Sequence, residues 1–162
     1  MSEGLVEEPS RRIRYLIDLV DREATQLSGV RSRLLGDHCE VDEARAKSLL
    51  SDDLGIDRLE SFGAKFSRMQ DTVMDKLAPA VLRLVGELPA AAADNLDRLE
   101  RLGLVGVADD WLAMRRIRNR LVHEYIKDAA DLALVLERAC HFSKQMQADY
   151  GRVREYVLNR ID

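Results

Sequence analysis

Residues 114–125 read MRRIRNRLVHEY and place four arginines, Arg115, Arg116, Arg118 and Arg120, within six residues, with His123 directly after them. Imidazole titrates near neutrality and moves protons. Guanidinium grips a phosphate through paired hydrogen bonds and stabilises the charge that gathers as phosphorus becomes five-coordinate. Asn119, between the two, is of a type that orients either group. On RNA the 2'-hydroxyl is a built-in nucleophile, so an arginine and a histidine suffice for phosphodiester cleavage and no metal is required. The plain alternative is a solvated helix edge, the usual place for arginine and histidine.

The rest of the chain frames that cluster. It has 162 residues, 46% hydrophobic and 33% charged, with a net charge of −4. These values describe one globular domain over residues 1–162 that needs no metal or disulfide staple. The acidic balance excludes a protein that coats nucleic acid generally, so any such contact is local to the arginines. Two cysteines, Cys39 and Cys140, in a chain opening MSEGLVEEPS, which is no secretion signal, point to a reducing compartment. No apolar run approaches the ~20 residues of a membrane helix. The reading is cytoplasmic, with no membrane.

Helical spacing dominates and strand-like alternation is lacking. Pro9-Ser10 opens a first helix with the stripe Ile13, Leu16, Ile17, Val20, Ala24, Leu27, Val30, Leu34, closed by Gly36. After a loop over 37–41, a short helix spans Asp42 to Leu50. The stripe Leu59, Phe62, Phe66, Met69, Val73, Leu77, Val81, Leu84, Leu88 follows, with a kink or split expected at Pro79 and a stop at Pro89. A short helix covers Asp94 to Leu102, before Gly103. Asp109 caps the motif helix, which runs to about Ile126. Asp128 caps a last long helix with the stripe Leu132, Val135, Leu136, Ala139, Phe142, Met146, Tyr150, Val153, Val157. Four substantial amphipathic helices and two minor ones predict an all-α, up-and-down four-helix bundle.

In projection, at about 100° per residue, Trp111, Met114, Ile117, Leu121, Val122 and Tyr125 share one apolar arc. Arg118 falls inside it, so its guanidinium must snorkel out or face a wet cleft. Asn119, His123 and Arg116 share a flank. Arg118 and His123 stand about 140° apart in an ideal helix. They can serve one ligand across a groove, through the long arginine, or with a symmetry mate.

The stretch RNRLVHEY, Arg118 to Tyr125, fits the R-x4-H-x-Y signature and resembles the HEPN superfamily, most closely the HepT-type toxins of HEPN/MNT toxin–antitoxin modules. The lead-in LERLGLVGVADDWLAMRRI, a short helix and glycine turn before the motif helix, is similar to theirs. The resemblance implies a helical bundle that dimerises, with two motif helices lining a cleft at the interface. It implies a metal-independent endoribonuclease, with no cofactor, that leaves a 2',3'-cyclic phosphate. Arg118 and His123 would be the catalytic pair, positioned by Asn119, and Arg115, Arg116 and Arg120 would add RNA contacts. A minimal nucleotidyltransferase would act as antitoxin by transferring AMP to Tyr125, whose new negative charge beside Arg118 blocks RNA. The segment over 37–53 is an addition to that pattern, a lid or part of an altered interface.

Other residues are less telling. His38-Cys39 and Cys140-His141 would make a zinc site only if the bundle joined them, and adjacent side chains diverge on a helix. Asp52, Asp53 and Asp57 fit capping and turn roles, and Arg11, Arg12 and Arg14 a solvated face. Two further functions compete with the ribonuclease. One is a non-catalytic, substrate-binding partner of a minimal nucleotidyltransferase. The other is a structural bundle with a chance motif.

Overall fold

The computed structural model describes residues 3–123, 126 and 128–161, with side chains from residue 9 onward except that of His123. Every regular element among the described residues is helical: α1 Glu3–Leu35, α2 Glu43–Leu50, α3 Asp53–Thr72, a π-helical turn Val73–Leu77, α4 Ala78–Leu84, α5 Ala92–Arg101, α6 Ala108–His123 and α7 Ala129–Ile161. The protein is all-α. No helix among the described residues is long and apolar enough to cross a membrane.

The long helices close a ring, in which α1 packs on α3, α3 on α6, α6 on α7 and α7 back on α1. Neighbours run antiparallel. Gln70 meets Trp111 while Ser67 meets Arg118 across α3 and α6. Trp111 meets Asp149 while Arg120 meets Asp131 across α6 and α7. Tyr150 meets Ile17 while Ser143 meets Arg31 across α7 and α1. The expected stripes form the core: Ile13, Leu16, Ile17 and Val20 of α1, Phe62, Phe66 and Met69 of α3, and Leu136, Met146 and Val157 of α7 are all buried.

Several boundaries differ from the expected ones. α1 begins at Glu3, so Pro9 lies inside it rather than opening it. Pro79 does not break its helix. A π turn just before it bonds the Ala78 N–H to the Val73 carbonyl, five residues back. This changes register where the proline ring would strike a carbonyl and offers no N–H. α4 ends before Pro89 is reached, at Gly86, whose φ of +81° suits glycine alone. There the Glu87 N–H bonds the Leu82 carbonyl at 2.8 Å and the Gly86 N–H that of Arg83 at 3.0 Å, a Schellman closure. Asp109 lies within α6 and is not its cap. Asp42, Asp52 and Asp128 do cap, each carboxylate accepting from a backbone N–H of the following first turn.

The segment over 37–53 is fastened in place. α2 packs on α7 and α3. The Val41 N–H donates to Glu137 of α7 at 3.1 Å, and Cys39 is joined to Cys140 of α7 by a disulfide. The bundle does bring the two Cys-His pairs together, but the cysteines meet as a disulfide, while His38 and His141 are exposed. The zinc reading and the reading of two free thiols are both corrected. The cause is a contact 101 residues apart in sequence, which neither cysteine's neighbours disclose.

The α2–α3 corner is tight. A Cβ at Gly55 would lie 2.1 Å from the Leu49 carbonyl oxygen, a backbone atom with little room to move. Gly55→Ala is therefore expected to destabilise the fold by roughly 1–3 kcal/mol or more. A urea midpoint unchanged from wild type would contradict this packing.

Candidate functional site

α6 is held from two sides at its N-terminal half. Trp111 is fully buried, and its indole N–H donates to Asp149 of α7 at 2.8 Å. Asp149, itself buried, also accepts from the Gly106 N–H at 3.2 Å and from Arg152. On the other side the buried Gln70 amide of α3 donates to the Trp111 carbonyl at 3.1 Å. Farther along, Gly63 of α3 faces α6 with room for a Cβ. A Cβ there would just touch Leu121 and Val122, at 3.6 and 3.7 Å. These contacts fix both the height and the rotation of the arginine-bearing face.

That rotation sends the four arginines to different places. Arg118 is mostly withdrawn, its side chain 17% exposed. Its Nη1 donates to the Asp71 carboxylate and reaches Ser67 Oγ at 3.4 Å, both on α3, and its Nε donates to Asn119 Oδ1 at 3.2 Å. Arg115 Nη2 pairs with Asp75 at 3.2 Å and lies 3.9 Å from Asp71. Arg120 faces the opposite neighbour and forks onto Asp131 of α7, with Nη1 at 3.3 Å from one oxygen and Nη2 on the other. Arg116 is exposed and has no acidic partner among the described residues.

Arg115 and Arg118 thus converge, Asn119 touches Arg118, and Arg116 and Arg120 stand apart from them. His123 is the last residue of α6. Tyr125 lies outside the described residues, and Ile126, the expected end of the helix, is described and is not helical. Trp111, Met114 and Ile117 are buried as the projection required, but Val122 is 44% exposed. It lines an open groove of about 460 Å³ with Ser67, Arg68, Asp71, Asp75 and Lys76. Arg118 does not itself line this groove; it reaches two residues that do, Ser67 and Asp71, and its guanidinium is ion-paired rather than left alone in a dry core.

Ser67, Asp71 and Asp75 were not singled out in the sequence. Their four-residue steps put them on one line of α3 and the turn after it, a polar line beside the apolar stripe. That was the available signal, and it needs α6 opposite to acquire meaning.

Behind the groove sits Glu23 of α1, 4% exposed, whose Oε2 accepts from the Thr72 hydroxyl at 2.9 Å. Its Oε1 is buried with no hydrogen-bond partner among the described residues. Burial raises its pKa above the ordinary 4.5, opposed in part by the Thr72 hydrogen bond and by Arg68 and Lys76. An acid raised on folding binds more protons in the native than in the unfolded chain between its two pKa values. Its contribution to stability is therefore present below pH 4.5 and is lost as pH rises through the raised value. Glu23→Gln is expected to be more stable than wild type at neutral pH and to lack this falling component. Parallel stability–pH curves for the two proteins above pH 4.5 would refute the assignment.

Among the described residues, no group of three or more His, Cys, Asp or Glu is placed to hold a metal ion. Comparison of the chain with protein-family models, with curated proteins and with solved structures finds no match.

Proposed function

We propose that this chain is a metal-independent endoribonuclease that acts as the toxin of a toxin–antitoxin pair. The observation that carries the reading is the placement of Arg118. Its guanidinium is bound to Asp71, a carboxylate that lines an open groove, with Asn119 on its Nε and Arg115 converging on the same carboxylate, in a helix whose last residue is His123. Arg118 takes the scissile phosphate, and Arg115 stands close enough to take the phosphate next to it. His123 moves the proton at the 2'-hydroxyl or at the leaving oxygen. The ideal-helix angle between Arg118 and His123 is bridged when a second copy of the chain closes the groove, so the active form is a homodimer. A nucleotidyltransferase antitoxin silences it by placing AMP on Tyr125. The site of action is the cytoplasm. A reducing cytoplasm would open the Cys39–Cys140 link, so there the chain would work with two thiols.

One observation favours a second reading, a non-catalytic partner of a minimal nucleotidyltransferase. Arg115, Arg118 and Arg120 are already ion-paired within the chain. Mapping of product ends separates the two. A mixed RNA pool treated with the chain in chelator should yield fragments ending in 2',3'-cyclic phosphate, with new 5'-hydroxyl ends. An intact pool, from a chain whose Tyr125 is shown by mass to carry no AMP, would refute the nuclease and leave the partner reading.

A further inference from the structure

Resting on that reading, we propose that the Asp71 carboxylate, with Asp75 beside it, is a built-in counter-ion that occupies the phosphate-binding face of Arg118 and Arg115 and must be displaced when RNA enters the groove. Both arginines reach Asp71 from α6, Arg118 in direct contact and Arg115 at 3.9 Å, and Arg115 reaches Asp75 at 3.2 Å. Two guanidinium groups therefore face two carboxylates, and the strongest local charge of the motif helix is cancelled at rest.

The arrangement is exchangeable. The Asp71 and Asp75 side chains are 43% and 53% exposed, so water reaches the carboxylate side of each ion pair and the pairs are weakly held. It is also incomplete, since Arg115 Nε is buried with no hydrogen-bond partner among the described residues. A phosphodiester accepts paired hydrogen bonds from guanidinium as a carboxylate does. The groove that Asp71 and Asp75 line has room for it, and Arg68 and Lys76 stand exposed on the same wall to hold the chain on either side. RNA thus replaces the carboxylate on Arg118, while a weakly held anion does not. The device suits a chain with net charge −4, in which an unmasked arginine pair would attract any polyanion.

The test is the affinity of the full chain for a fluorescent 12-nucleotide mixed-sequence RNA at low salt. It compares wild type, Asp71→Asn, the Arg115→Ala/Arg118→Ala pair, and that pair combined with Asp71→Asn. Asp71→Asn removes the carboxylate that competes for Arg118 and should tighten binding about three- to fivefold, the range open to an exposed ion pair. In the background lacking both arginines the gain should shrink to less than about twofold. A diffuse effect of net charge would survive their removal, whereas unmasking does not. Melting curves establish that each variant is folded, which the exposure of Asp71 favours.

If wild type binds the RNA and Asp71→Asn binds no tighter or more weakly, Asp71 orients Arg118 rather than masks it. The inference is then overturned, and the nuclease reading stands. A gain that persists undiminished without the arginines overturns it too. If neither wild type nor Asp71→Asn binds RNA, the nuclease reading fails and takes the inference with it.

Discussion

Arg118→Ala is expected to lower RNA cleavage about 100- to 1,000-fold, the usual loss when one positioned donor to a developing negative charge is removed. The same change should alter folding stability by only about 1 kcal/mol, because the carboxylate it leaves behind, Asp71, is 43% exposed and stays solvated. The contrast matters. A residue that merely tied α6 to α3 would show the reverse, a destabilised protein with activity lost only through unfolding. Arg118→Lys refines the point. Lysine keeps the charge but presents no fork, so it holds neither Asn119 and Asp71 together nor two phosphate oxygens at once. It should recover a minor part of the rate. Cleavage rates measured beside urea midpoints for the three proteins decide the matter. Full activity in a folded Arg118→Ala protein would remove Arg118 from the chemistry.

Opening the Cys39–Cys140 bridge, by reductant or by Cys140→Ala, is expected to lower the unfolding free energy by roughly 2–5 kcal/mol. The two residues are 101 apart in sequence, so the link restrains a large share of the unfolded chain. At this chain length the loss corresponds to a fall of roughly 5–15 °C in melting temperature. The native fold should nevertheless survive. α2 remains packed on α7, and the Val41 to Glu137 hydrogen bond at 3.1 Å still fastens the preceding loop. Melting with and without reductant measures the difference. An unchanged midpoint would mean that the bridge restrains nothing the packing does not already hold. The comparison also bears on where the chain works, since a cytoplasmic protein must remain folded as two thiols.

Much of the bundle was legible because its determinants are local. The three- and four-residue steps of α1 and α7 name most of the side chains that those helices bury, from Ile13 to Leu34 and from Leu132 to Val157, but miss Glu23, Leu35, Ala133, Cys140, Ser143 and Asp149. Caps at Asp52 and Asp128 follow from side chains bonding their own first turns, and Asp42, read as the first residue of α2, caps it in the same way. Helix ends read less well, because competing signals stand close together. Gly86 ends α4 before Pro89 has anything to stop, and the π turn absorbs Pro79. What stayed hidden is nonlocal. Arg118 finds Asp71, 47 residues away in sequence, and Arg120 finds Asp131 on the next helix. Four arginines in six residues read as a basic patch, yet folding splits them between two neighbouring helices and pairs three of them with carboxylates. The site is therefore more guarded than the sequence suggested. That guarding makes a rate measurement, rather than charge, the proper judge of its function.

The most direct test compares wild type with His123→Ala on the same mixed RNA in chelator, once mass spectrometry shows Tyr125 free of AMP. Wild type should cleave, and the variant should lose about 100-fold or more of that rate, the scale of a lost general acid–base. Equal cleavage by the two proteins, or none by wild type, would contradict the nuclease reading.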